Sequence, residues 1–234
     1  MKLAIMQPYF FPYIGYFQLI NAVDKFVVYD NIQFTKKGWI NRNRILINGK
    51  GEYITLQLKK DSDYLNIGQR KLSDSFKKER GKLLRRITES YRKAPQFNIV
   101  YPLIESIINV VEENLFGFIY QSLQAVCQFI DIKTEFIVSS TLSIDQQIKS
   151  QDKVISICGV LRASQYINPI GGMELYSKEV FQQHKIELNF MQSNTIEYPQ
   201  FGNEFIAQLS IIDVLMFNSK EQIKQYLQNN YIII

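Results

Sequence analysis

Within its first thirty residues the chain writes a strand, a turn-rich loop, a helix and a second strand, and that order constrains the fold more than anything after it. Lys2 to Met6 is short and apolar, Pro8 and Pro12 fix a loop, a helical pattern runs from Gly15 to Asp24, and Lys25 to Asp30 (KFVVYD) is the next strand. Such a βαβ unit implies a parallel sheet whose ligands sit at the carboxyl ends of its strands. The first loop is therefore the expected site.

Further along, Arg44 to Asn48 and Glu52 to Leu58, split by Asn48-Gly49, predict a β-hairpin added to that sheet. Ser73 to Lys93 is a basic amphipathic helix, and apolar positions from Ile104 to Phe129 predict one long helix, or two in series, with Pro102 in the first turn. Strands at Thr134–Val138, Gln165–Asn168 and Ile186–Met191 alternate with helices at Gln151–Ala163 and Ser177–His184, and helices at Phe205–Phe217 and Lys220–Gln228 close the chain. The expected organisation is an N-terminal βαβ part with hairpin (1–70), a helical insertion or lobe (71–132), and a C-terminal α/β part of the same core (133–234). The expected class is α/β, with a parallel-sheet nucleotide-binding core that is Rossmann-like and of the nucleotidylyltransferase or HUP type.

Composition excludes several chemistries. One histidine, His184, and two cysteines, Cys127 and Cys158, cannot supply a zinc site of three or four N/S ligands, so no metal is expected. The cysteines lie in helical segments, as buried reduced thiols do, which makes a cytoplasmic location the default. Leu3 to Val23 carries no charge, but Gln7, Pro8, Pro12, Gly15, Gln18 and Asn21 interrupt it, so neither a signal peptide nor a transmembrane segment is expected. A net charge of 27 − 22 = +5 and the acids Glu79 and Glu89 within the basic helix argue against an extended nucleic-acid surface. That helix is expected to be a solvated face, or to lie near an anionic inner-membrane surface. His184, ending a helix, is expected to be structural.

Candidate site residues follow from local chemistry. In Gln7-Pro8-Tyr9-Phe10-Phe11-Pro12-Tyr13-Ile14-Gly15-Tyr16, Gly15 permits close backbone approach at a helix start, where free N–H groups favour an anion. Lys37, Trp39, Arg42 and Arg44 place guanidinium forks for phosphate beside an aromatic face for stacking. Asn168 with the paired glycines Gly171 and Gly172 can form a turn at positive φ that cradles a ligand, or a plain tight turn. Asp30 ends a strand on the site side of the sheet and can serve as a base or cap a loop. Asp213 sits in an apolar helix on one face with Ser210 and Phe217, where an acid is paired or used.

The placement of the first loop is similar to that of the HIGH loop of nucleotidylyltransferases and class I aminoacyl-tRNA synthetases, with Tyr13-Ile14-Gly15-Tyr16 in its place and both histidines absent. The opening QPYFFPYIGYFQLI, the run Trp39-Ile40-Asn41-Arg42-Asn43-Arg44, the run Tyr166 to Gly172, Tyr198, and Leu209 to Asn218 together resemble the WbqC-like family. Members sit mainly in bacterial surface-polysaccharide gene clusters. The resemblance implies an N-acyl or aminoacyl (glycyl-type) transferase acting on a nucleotide-linked aminodeoxysugar in O-antigen biosynthesis. Tyr198 joins the binding residues through it, and Asp30 or Asp213 would take the amine proton. The donor is left open among acyl-CoA, an aminoacyl donor and ATP-activated amino acid, as is the oligomeric state. Two alternatives stand beside it: a nucleotidyl or adenylyl transferase with a degenerate loop, and a non-catalytic nucleotide-sugar binding protein.

Overall fold

The computed structural model describes residues 1–234 apart from Gln146 and Asn203, with Lys77 described for its backbone only. A six-stranded sheet forms the centre. Its strands are β1 (Lys2–Met6), β2 (Lys25–Val28), β5 (Glu135–Val138), β6 (Gln165–Pro169), β7 (Glu187–Ser193) and β8 (Tyr231–Ile233), in the order β5-β2-β1-β6-β7-β8. All pairs are parallel except β7 with β8. The molecule is thus a mixed α/β protein with a mostly parallel central sheet, as Rossmann-like folds have.

Side chains alternate across this sheet and build two cores. Ala4, Phe26 and Val28 pack into the larger core with α1 (Ile14–Asn21), while Leu3, Ile5 and Val27 face α5 (Ser150–Val160) and α6 (Lys178–Gln183) on the other side. His184 is the C-cap residue of α6. Cys127 and Cys158 are buried and unpaired, and burial pushes the Cys158 thiol up to about 12.

The hairpin lies outside the main sheet as a two-stranded unit, β3 (Arg42–Ile47) with β4 (Lys50–Thr55). Asn48 and Gly49 both take positive φ at its turn, 51° and 73°, which suits the twist of a tight hairpin. The helices α2 (Phe76–Tyr91), α3 (Phe97–Ile108) and α4 (Leu115–Phe129) share the larger core with it.

Of the two readings of the long apolar pattern, two helices in series holds; two other expectations are corrected and one strand is new. The long apolar pattern is two helices packed on each other, because Asn114 caps α4 by accepting from the Gly117 N–H at 3.0 Å. Pro102 lies inside α3, not in its first turn. The helix expected from Phe205 begins only at Ile211 (α7, Ile211–Phe217), where the Ser210 hydroxyl accepts from the Ile212 N–H at 3.2 Å. Helix α8 (Lys220–Asn229) is followed by β8, which the sequence pattern did not signal. Among the described residues, no helix is long and apolar enough to cross a membrane.

Candidate functional site

Strand order reverses at β1: β2 and β5 lie to one side of it, β6 and β7 to the other. A crevice opens at such a switch point beyond the carboxyl ends of the strands. Here it is a cavity of about 540 Å³, reached by Met6 at the end of β1, Pro169 at the end of β6 and Met191 within β7. The Tyr9–Tyr16 loop supplies one wall and the segments 192–198 and 205–209 the other. Tyr9, Tyr13, Gly15, Tyr16, Trp39, Gly171 and Tyr198 line it. Among the described lining residues none is charged.

The loop is held in shape from behind. Buried Asn43 donates through Nδ2 to the carbonyls of Phe10 at 3.1 Å and Phe11 at 2.9 Å, and the Ser210 hydroxyl donates to the same Phe11 carbonyl at 2.8 Å. These bonds hold Phe11 at φ 41°, a conformation a bulky residue rarely adopts unsupported. The Phe10 N–H donates to the Trp39 carbonyl at 3.1 Å, fixing the Trp39 segment to the loop. Pro8 is buried, and the Gln7 carbonyl accepts from the Tyr16 hydroxyl at 2.8 Å, so these two shape the loop without lining the cavity.

Gly15 does permit a close approach, and the chain's own Tyr13 makes it. A Cβ on Gly15 would stand 2.3 Å from the Tyr13 hydroxyl oxygen and 2.4 Å from two ring carbons. The phenol therefore covers the first turn of α1, where an anion was expected.

At the mouth, Trp39 stacks on Tyr53 with centroids 6.2 Å apart and planes 27° from parallel, and the Arg42 guanidinium lies 4.6 Å from the Tyr53 centroid. Arg42 also donates to the carbonyls of Gly38, at 3.1 Å, and Lys37. Its fork is thus spent on its own loop. Neither Arg42 nor Arg44 lines the cavity, and the Arg44 Nε is buried with no hydrogen-bond partner among the described residues. Lys37 is exposed, outside the lining.

The paired glycines do not use positive φ; they enter a 3-10 turn over Ile170–Leu175. A Cβ on Gly172 would stand 2.0 Å from the Asn168 amide nitrogen, so any other residue there would displace that side chain. Asn168 in turn accepts from the Tyr166 hydroxyl at 3.0 Å, which leaves Gly171 alone of the three at the cavity.

Asp213 is wholly buried at the start of α7. Its carboxylate accepts from the Tyr91 hydroxyl at 2.8 Å, the Tyr198 hydroxyl at 2.7 Å and Gln200 Nε2 at 2.6 Å. Burial raises its pKa, and the three donors oppose that rise. Tyr91 also accepts from the Leu46 N–H at 2.8 Å, so Asp213 joins α7, α2, the hairpin and the cavity wall. Among the described residues, the hydrogen-bond partner of Asp213 that lines the cavity is Tyr198, whose own pKa is raised by burial and then by Asp213. Asp30 lies beyond β2, is not among the lining residues, and accepts from the Ser139 hydroxyl at 2.8 Å and the Ser140 N–H at 2.9 Å. The two acids are therefore not brought together.

The sequence alone did not point to the wall at Gln192–Ile196 and Gln208. Its one available signal was the placement of 192–196 at and just beyond the carboxyl end of β7, where ligands bind. Asn43 was also passed over; its polar side chain between strand residues was the clue. Among the described residues, no group of three or more His, Cys, Asp or Glu could hold a metal ion.

Comparison with known proteins adds two findings. The model of the WbqC-like protein family matches residues 7–225. An uncharacterised protein of Mycobacterium tuberculosis, Rv1507c, is 25% identical over 229 residues, 97% of each chain. No solved structure matches the chain.

Proposed function

The chain belongs to the WbqC-like protein family, and on that premise we propose that the cavity binds a nucleotide-linked amino sugar and that the protein transfers an acyl or aminoacyl group to its amine. The supporting observation is a cavity at the topological switch point whose described lining residues include no charge. Acyl transfer needs the free amine. Taking an ammonium out of water into an uncharged wall favours its neutral form, so the site itself supplies the nucleophile without a carboxylate in contact with it. The amine nitrogen then attacks the acyl carbonyl carbon, an N–C bond forms, the bond to the leaving group breaks, and the surplus proton leaves with that group or with water.

In this reading Tyr9, Tyr13, Trp39 and Gly171 surround the sugar, and Tyr198 is positioned by Asp213. The core would be of the nucleotidylyltransferase or HUP type, used here to orient an acceptor. Synthesis of bacterial surface polysaccharide, at the cytoplasmic face of the membrane, is the setting in which such a product is consumed. The test is mass spectrometry of nucleotide-linked amino sugars incubated with the protein and each donor class: acyl-CoA, aminoacyl-tRNA, or amino acid with ATP. The expected product gains one acyl group and loses its primary amine. Unchanged sugars with all three donors would overturn the transfer.

A second reading, a nucleotide-sugar binding protein without turnover, is favoured by one observation: neither Asp30 nor Asp213 lines the cavity. Calorimetry separates the two, since that protein binds the sugar nucleotide and leaves it unchanged. Nucleotidyl transfer is the less favoured enzyme reading, because the uncharged lining offers nothing to stabilise a transferring phosphate.

A further inference from the structure

We infer that the cavity takes the sugar ring itself, with an apolar face against the indole of Trp39, and leaves the diphosphate outside. This rests on the sugar-nucleotide binding proposed above, not on the transfer step, and reverses the usual arrangement at a switch point, where phosphate sits on the first helix. Two independent observations exclude phosphate from the interior. No charged side chain is among the described residues of the lining, and an unpaired anion buried there would be strongly disfavoured. The first turn of α1, the alternative anion site, is covered by the Tyr13 ring over Gly15.

What the cavity does offer suits a sugar. Trp39 uses one face on Tyr53 and is still 40% exposed while lining the cavity, so its second face is the open one. Arg42, stacked on Tyr53 and bonded to the carbonyls of Lys37 and Gly38, holds that platform rigid. The same lining carries Gln192, Ser193, Asn194, Thr195 and Gln208, a set of neutral amides and hydroxyls that both donate and accept. An apolar platform and uncharged hydrogen-bonding groups in one cavity match a pyranose, which has C–H faces and a rim of hydroxyls. Lys37, exposed two residues before Trp39, stands outside where a diphosphate would emerge.

Trp39 is the single tryptophan, so its emission reports on this site alone. Titrations would use free glucosamine, free N-acetylglucosamine, UMP, inorganic pyrophosphate and UDP-N-acetylglucosamine, with glycerol as a control. The expected result is a saturable change with a free sugar and with the sugar nucleotide, to similar plateaus, and none with UMP or pyrophosphate. Calorimetry on Trp39→Ala should show at least about a tenfold loss of sugar affinity, while Trp39→Phe, which keeps a ring, loses less. A response to UMP or pyrophosphate without one to sugar would overturn the inference while sparing a nucleotide-binding role. Silence with every probe would also overturn it. Sugar binding without acyl transfer would uphold it and sink the transfer.

Discussion

The phenol of Tyr13 occupies the space that a side chain on Gly15 would need, its hydroxyl oxygen 2.3 Å from the position of a Cβ. That contact decides what Gly15 does. The glycine keeps the start of α1 open for a neighbouring ring, and Tyr13, 40% exposed, is free to swing when displaced. Gly15→Ala should therefore keep stability within about 1 kcal/mol, because the helix-propensity gain offsets the displaced ring. Ligand affinity should fall, as Tyr13 is moved within the cavity wall. Parallel thermal unfolding and calorimetry check this; a large loss of stability would instead make Gly15 a packing residue.

Arg42 distinguishes a phosphate anchor from a brace. Arg42→Lys keeps the charge but cannot bond both the Gly38 and Lys37 carbonyls while lying flat on Tyr53. Both Arg42→Lys and Arg42→Ala should shift Trp39 emission in the free protein and cost about 1 to 2 kcal/mol of stability. Undiminished stability in both variants, with sugar-nucleotide binding retained only by lysine, would restore the phosphate role.

Asp213 is expected to control stability. Asp213→Ala leaves Tyr91, Tyr198 and Gln200 without their acceptor, at a cost of at least about 3 kcal/mol, read by urea unfolding. Its pH signature has a definite sign. Burial raises the folded pKa above the ordinary 3.8, so the folded state holds the proton more tightly. The stability this contributes is fully present below 3.8 and is lost as pH rises through the raised value. Asp213→Asn removes that slope, and urea midpoints taken every half unit from pH 3.5 upward would show it.

Lys153 behaves in the opposite sense. It is buried on α5, donates to Asn31 Oδ1 at 3.4 Å and lies 5.5 Å from the Tyr29 ring centroid. Burial lowers its pKa below the ordinary 10.5, with Asp30 opposing. The unfolded chain therefore holds that proton more tightly, and stability rises with pH between the lowered value and 10.5. Lys153→Met should be neutral or stabilising at pH 7, by up to about 1 kcal/mol, with the difference moving toward the native protein as pH approaches 10. An equal difference at both pH values would rule out the titration.

Local pattern made the βαβ start legible, because the short apolar runs Leu3–Ile5 and Phe26–Val28 and the prolines between them are visible in the chain. The Asn48-Gly49 hairpin was legible for the same reason: a two-residue turn at positive φ needs those residue types. The cavity was half legible. Its first wall lies in one loop of unusual composition, but its second comes from residues nearly two hundred positions away that follow no periodicity. Arg42 and Gly15 show what spacing does not carry: whether a fork or a gap is open to a ligand or already filled by the chain itself. Asp213 shows the same limit, since its three donors come from Tyr91, Tyr198 and Gln200, and only the folded chain assembles them.

Gln200 gives the far wall a clasp of its own. Its amide donates to the Ile206 carbonyl at 3.3 Å and accepts from the Ile206 N–H at 2.8 Å, a reciprocal pair that imitates strand pairing across a loop. The same amide nitrogen reaches Asp213. Gln200 thus ties the 200–206 loop both to itself and to the buried acid, beside the separate Tyr198–Asp213 bond. Local opening of that clasp should cost less than global unfolding, and amide exchange at Ile206 is where the difference would be read.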